Sequence, residues 1–195
     1  MTTPRPTPGC FFWYPPMRLS EEEFLARHGD ESHIELIDGL VVRYDRGGSQ
    51  SAYIGANIAF ELSRHVDRLY LGRLAINDTF VRVRSSPVRI RCVDVLYLSY
   101  AKWPADRPFD DGPCPNTPEL VAELKSPAIT WVQMFDKVVD FLTAGVVVVL
   151  VLDTANDTVT AYRRDTAPES FRMGSDLTIP DVLPGFSVPV ASLFL

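Results

Sequence analysis

The sequence predicts an α/β protein in which helices flank a mixed β-sheet core. Three observations carry this expectation. Ile54, Ile58, Leu62, Val66 and Leu69 recur at spacings of three and four, one face of a long helix. Alternating or continuous β-branched runs occupy 79–84, 88–98, 119–125 and 146–152. Helical and extended stretches interleave along the chain, an order that packs helices onto a sheet. With 195 residues the chain suits one domain with a tail, and it is long enough to need no disulfide or metal staple.

Residues 1–16 contain Pro4, Pro6, Pro8, Pro15 and Pro16 and predict an extended lead segment docked by Phe11 to Tyr14. A single domain is expected over 17–195. Ser20 and Glu23 form a capping-box pattern before a short helix over 21–27. Residues 33–37 and 40–44 flank Asp38-Gly39, a favoured hairpin turn pair, and Gly47-Gly48 ends that unit. The long helix covers 51–69. Strands follow at 79–84 and 88–98, then a long loop rich in Pro, Asp and Gly over 99–118. A strand over 119–125 stops at Ser126-Pro127. Thr130 caps a helix through Ala144, with Gly145 just past its end. The run 146–152 predicts a central strand covered on both faces, and 158–163 returns beside it. The remainder, broken by Pro180, Pro184 and Pro189, predicts short strands and turns.

Composition excludes several classes. The net charge of −6 argues against a sequence-independent nucleic-acid coat protein, which would be basic. Cys10, Cys92 and Cys114 are odd in number and lack a C-x-x-C spacing, and His28, His33 and His65 lack a zinc-ligand spacing. No signal peptide is visible and 146–152 is too short to span a membrane, so a reducing cytoplasm is the expected compartment.

The chemistry concentrates in two strands. Glu123 and Lys125 are two apart on one strand and therefore share a face. Asp94 sits in the apolar run 93–96, where an ionised carboxylate is costly unless paired or metal-bound. If the two strands are neighbours, Asp94, Glu123 and Lys125 meet at one end of the sheet. Two carboxylates suit Mg²⁺, a hard ion that keeps several waters, and a nearby ammonium suits an anionic phosphoryl group. That combination points to phosphodiester hydrolysis.

Asp94 followed by Glu123-Leu124-Lys125 resembles the PD-(D/E)xK pattern of restriction-like nucleases. More closely, the chain resembles the Uma-two family, also catalogued as domain of unknown function 820. The likeness runs from about Leu19 to Phe194. It rests on Glu35-Leu36-Ile37-Asp38-Gly39, on 93–98, on 119–127, on Lys137 through Phe141 to Ala144-Gly145-Val146, and on Leu183-Pro184-Gly185-Phe186. The chain departs from the family pattern at Val93 (usually proline), at Phe141 (often tyrosine) and over 47–52, where a histidine often precedes the long helix. The resemblance implies a restriction-endonuclease-like fold and a Mg²⁺-dependent DNA endonuclease, with Mn²⁺ as substitute. It implies Asp94 and Glu123 as metal ligands, Lys125 as the catalytic lysine and Glu35 as a further acidic group. A homodimer is implied if both strands of DNA are cut.

Other readings of the same residues stand beside these. Asp94 could pair with Arg89 or Arg91, and Glu123 with Lys125 could form an exposed salt bridge. Glu35 could face solvent, and Lys137, on an amphipathic helix, is expected to do so. Arg82, Arg84, Arg89 and Arg91 form a candidate phosphate stripe or the solvated face of a hairpin. Cys92 reads as a core cysteine. The alternative function is an inactive nucleic-acid- or protein-binding module that kept the fold.

Overall fold

The computed structural model describes residues 17–45, 47–110 and 112–195. The expected lead segment, 1–16 with its aromatics, lies outside them. The chain runs α1 (Glu21–His28), β1 (Ile34–Ile37), β2 (Leu40–Arg43), α2 (Ser49–Leu69), β3 (Gly72–Ser85), β4 (Val88–Ser99), β5 (Leu120–Lys125), α3 (Trp131–Ala144), β6 (Val148–Asp153), β7 (Thr158–Tyr162), β8 (Glu169–Phe171), β9 (Asp176–Thr178), β10 (Ser187–Pro189) and α4 (Ala191–Phe194).

Local chemistry sets the boundaries. Ser20 and Glu23 close a reciprocal capping box on α1, and Thr130 and Gln133 do the same on α3. Gly145 ends α3 at φ 101°, a left-handed conformation that glycine adopts without strain. Asp38 at φ 53° and Gly39 at φ 81° give the β1–β2 hairpin two left-handed turn residues, whose twist matches the strands.

The main sheet has eight strands in the order β2-β1-β4-β5-β6-β7-β8, with β3 paired to β4 outside that path. Its pairs are antiparallel except β5–β6, which α3 connects. The mixed sheet expected from the sequence is therefore present. Every residue of β6 is buried, as a strand covered on both faces requires. One core lies under α2, where Ile54, Ile58, Leu62 and Val66 meet Val95, Leu120, Ala122 and Leu150. A second lies under α3, where Met134, Val138 and Phe141 meet Val93, Leu96, Val121 and Val149. A smaller core fixes α1 through Phe24 against Phe80 and Ile90.

Strand β3 starts well before the expected position 79. Asn77 and Asp78 both take positive φ, and the β3–β4 register slips between Ile76 and Thr79. This bulge breaks the alternation, so the first half of the strand has no periodic signature in the sequence. Among the described residues no helix is long and apolar enough to cross a membrane.

Candidate active site

Strand β4 changes partners along one edge. There it pairs with β1 at Arg89 and Ile90, and with β5 from Val95 to Tyr97. Across the interval 91–94 side chains take over the hydrogen bonding that buried backbone demands. The Cys92 N–H donates to Glu35 Oε1 at 3.2 Å, and the Cys92 carbonyl accepts from Lys137 Nζ at 2.8 Å. The Leu124 N–H of β5 donates to Asp94 Oδ2 at 2.7 Å. The polar side chains thus gather where the sheet has a gap.

Asp94, Glu123, Glu35 and Lys137 all line one cavity of about 450 Å³, roofed by Ser51, Gly55 and Ala59 of α2. Asp94 and Glu123 face each other one position beyond the last β4–β5 pair, Val95 with Ala122. Lys137 donates to Glu123 Oε2 at 2.6 Å and to Cys92 O at 2.8 Å, and lies 3.3 Å from Glu35 Oε1. Those three acceptors match the three donors of an ammonium. Glu35 turns its other oxygen to Arg91 Nη1 at 2.7 Å, and Arg91 also pairs with Asp136 and Asp140 of α3. Glu35 and Arg91 are almost wholly shielded from water, at 0% and 1% exposure. Glu123 Oε1 is buried and has no hydrogen-bond partner among the described residues.

The electrostatics follow from burial against charge. Burial pushes the Glu123 carboxyl up to about 8; Lys137 opposes this, and the Asp94 charge adds to it. Burial also raises Asp94, against Lys137 and the Leu124 N–H. Glu35 is buried too, but Lys137 and Arg91 overcome that and hold it below the usual carboxylate range. Burial would lower Lys137, yet Glu123, Glu35 and Asp94 keep its pKa raised, so it stays an ammonium.

Several sequence expectations take a different form. Lys137 does not face water: it lies on the inward face of α3 with Met134, Val138 and Phe141. Glu35 does not face solvent either. Asp94 is not the partner of Arg89 or Arg91, whose carboxylates are Asp38, Asp140, Asp136 and Glu35. The arginine stripe is spent on ion pairs, with Arg82 on Glu21 and Arg84 on Asp38. Lys125 stays off the cavity wall. Its Nζ donates to the Ser126 carbonyl at 2.9 Å and sits 5.5 Å from the centre of the Trp131 ring. Cys92 is buried and its Sγ lies 3.2 Å from Asp78 Oδ1; burial, then Asp78, keeps its pKa raised and the group a thiol.

Sequence reasoning passed over two residues that line the cavity, His33 and Asp78. His33 has no companion histidine. Asp78 sits in the bulge, where Asn-Asp interrupting a strand pattern was the available signal.

The donor set can be compared with a metal. No group of three His, Cys, Asp or Glu side chains among the described residues is placed to hold one. Asp94 and Glu123 supply two carboxylates, with one Glu123 oxygen uncommitted. Mg²⁺ is commonly bound by one or two carboxylates and keeps its waters, so the pair fits it.

The fold has solved counterparts. A protein from Anabaena variabilis ATCC 29413, described as a putative nuclease belonging to DUF820, matches at a TM-score of 0.79 over 90% of this chain and 97% of its own, with 16% identity. That likeness establishes a shared fold. No curated protein matches the chain. The Uma2 family model, described as a putative restriction endonuclease, matches residues 21–191, and the chain belongs to that family.

Proposed function

We propose that the protein is a divalent-metal-dependent endonuclease that hydrolyses phosphodiester bonds in DNA. The observation that carries this reading is the adjacent pair of half-buried Asp94 and buried Glu123, with one Glu123 oxygen left without a partner among the described residues at the gap in the sheet. Two adjacent carboxylates whose charged forms are disfavoured by burial are stabilised as anions by a nearby cation. Asp94 and Glu123 would hold Mg²⁺, or Mn²⁺ in its place. When bound, such an ion polarises a phosphoryl oxygen and lowers the pKa of a bound water.

The chain's own residues have separate tasks in this reading. The Leu124 N–H fixes the Asp94 carboxylate. Lys137 orients Glu123 through Oε2 and leaves Oε1 free. Glu35 ties Lys137 of α3 to Arg91 of β4. Lys125, which in this structure rests on the Ser126 carbonyl beside Trp131, would swing from there to meet the anionic phosphate. Cleavage of both strands would call for two copies of the chain.

The test is a melting curve with and without Mn²⁺, on the wild type and on Asp94→Ala. A ligand in hundredfold excess over its Kd stabilises the folded state by about 2.7 kcal/mol. The wild type is expected to shift and Asp94→Ala is not, with DNA cleavage lost in the same variant. Cleavage retained in Asp94→Ala would refute the reading.

The shift should also depend on pH. Between about pH 4.5 and 8 the folded chain keeps on Glu123 a proton that the unfolded chain has released. Metal-free stability therefore falls as pH rises through that window. Binding of a cation needs the carboxylate, so the Mn²⁺-induced shift should grow over the same window and level off above it. A shift independent of pH from 5 to about 8 would remove Glu123 from the ligand set.

A second reading, a binding module without chemistry, draws on the apolar stripe of Trp131, Val132, Phe135 and Val139, which is exposed on α3. It predicts no metal shift and no cleavage.

A further inference from the structure

We infer that His33, oriented by Asp78, is the proton acceptor for the attacking water in this cavity. The inference rests on the nuclease reading and assigns a role that reading leaves vacant. Hydrolysis needs a group to take the water's proton. Lys137 cannot, because it is held as an ammonium among carboxylates. Asp94 and Glu123 are committed to the cation. Lys125 carries the positive charge for the phosphate. Histidine is the side chain that can be neutral and basic near neutral pH.

The geometry places His33 for this. His33 and Asp78 line the same cavity as Asp94 and Glu123. His33 Nδ1 is buried and lies 3.2 Å from Asp78 Oδ2. The contact lacks the alignment of a hydrogen bond, an alignment that catalytic pairs commonly reach only with substrate in place. The other Asp78 oxygen is anchored by Cys92 Sγ at 3.2 Å. The His33 carbonyl accepts the Tyr44 N–H at 2.9 Å, which fixes the backbone. With Nδ1 turned to Asp78, Nε2 is the nitrogen left to serve the cavity. This is the base-and-orienting-carboxylate arrangement of acid–base sites.

The backbone points the same way. Among the described residues seven non-glycine residues have positive φ, and three of them, His33 (59°), Asn77 (65°) and Asp78 (61°), line this one cavity. Such conformations persist where the surrounding structure enforces them, and they concentrate at functional sites. The bulge that carries Asn77 and Asp78 lies opposite Asp94, so β3 delivers Asp78 to the point where β4 delivers its carboxylate.

The titratable groups around His33 are Asp78 on β3, Cys92 and Asp94 on β4, Glu35 on β1, and Tyr44 and Asp45 beyond β2, with Glu123 and Lys137 across the cavity. The water's proton passes to neutral His33 Nε2 as its oxygen bonds to phosphorus. The bond from phosphorus to the sugar oxygen breaks, that oxygen takes a proton from solvent, and the imidazolium returns its proton to solvent.

The test uses His33→Asn, since asparagine tolerates the left-handed backbone, together with His33→Gly and Asp78→Asn. His33→Asn should lose about 10²-fold or more in kcat while keeping the Mn²⁺-induced melting shift. Added imidazole should restore part of the loss in His33→Gly. The wild-type rate should fall on the acid side, and Asp78→Asn should move that limb to lower pH, because the carboxylate that favours the imidazolium is gone. An NMR titration of the His33 ring gives a readout apart from activity: its midpoint should drop in Asp78→Asn. An unchanged kcat and pH profile in His33→Asn overturns the base role, and an unmoved midpoint overturns the pairing with Asp78. A wild type that cleaves nothing overturns the nuclease reading and the base role with it, while the NMR titration still decides the pairing.

Discussion

Replacing Arg91 with methionine is expected to remove about 3–5 kcal/mol of stability, the usual cost of stripping one partner from a buried ion network. Arg91 is 1% exposed and contacts Glu35, Asp136 and Asp140 at once. Methionine would fill much of the volume but leave Glu35 with Lys137 and Asp140 with Arg89 as their remaining cations. Glu35 would then protonate or draw on Lys137 alone, and of the two arginines that tie β4 to α3 only the partly exposed Arg89 would remain. Arg82→Met provides the comparison: that guanidinium is half exposed and pairs with Glu21 at the surface, so its loss should cost less than about 1 kcal/mol. Urea unfolding of both variants measures the difference. An Arg91→Met loss no larger than that of Arg82→Met would mean that the network is not a structural anchor.

The two lysines should separate by which kinetic quantity they move. Lys137→Met is expected to weaken Mn²⁺ binding by about 10–100-fold, the usual effect of removing a group that orients a metal ligand. Its three acceptors are all protein atoms, Glu123, Glu35 and Cys92, so its effect is exerted through Glu123. Lys125→Met is expected to leave Mn²⁺ binding intact and to lower kcat by about 10²-fold, as loss of one donor to a developing negative charge does. The measurements are Mn²⁺ titrations by melting shift and single-turnover cleavage. If Lys125→Met cleaved normally, the lysine belongs with Trp131 as a structural pair and the phosphate is met elsewhere. Lys137→Arg, which keeps the charge, distinguishes a chemical effect from a failure to fold.

Much of the fold is written in local patterns. Ser20 with Glu23, Asp38-Gly39, Thr130 and Gly145 each mark a boundary through a hydrogen bond or a dihedral that only a few residue types supply. The long helix and the fully buried β6 follow from spacing alone. The first half of β3 does not, because Asn77 and Asp78 interrupt the period that would reveal it. At the site, the strand rule places Glu123, and the apolar run around Asp94 marks it as unusual. Lys137 illustrates the limit. Its position, between Met134 and Phe141 on the inward face, carried the information, but a lysine by type reads as exposed. Only the carboxylates gathered from β1 and β5 make its burial tolerable, and those come from distant parts of the sequence. The same holds for Arg91, which needs Asp136 and Asp140, one turn apart on α3, to be buried at all. His33 meets Asp78 only through the bulge, so neither residue announces the other.

The gap in β4 has a bearing on how relatives of this chain should diverge. Glu35 and Lys137 complete the hydrogen bonding of the Cys92 peptide, so a descendant that abandoned catalysis would still need them to keep its sheet intact. Selection for folding and selection for chemistry act on the same two side chains there. Their persistence in a lineage is therefore silent about activity. The informative positions are those whose polar atoms the fold leaves unused. Glu123 Oε1 has no structural employment among the described residues. In lineages that have lost the reaction, Glu123 should drift first to glutamine, which can keep the Lys137 bond through its carbonyl while surrendering the charge.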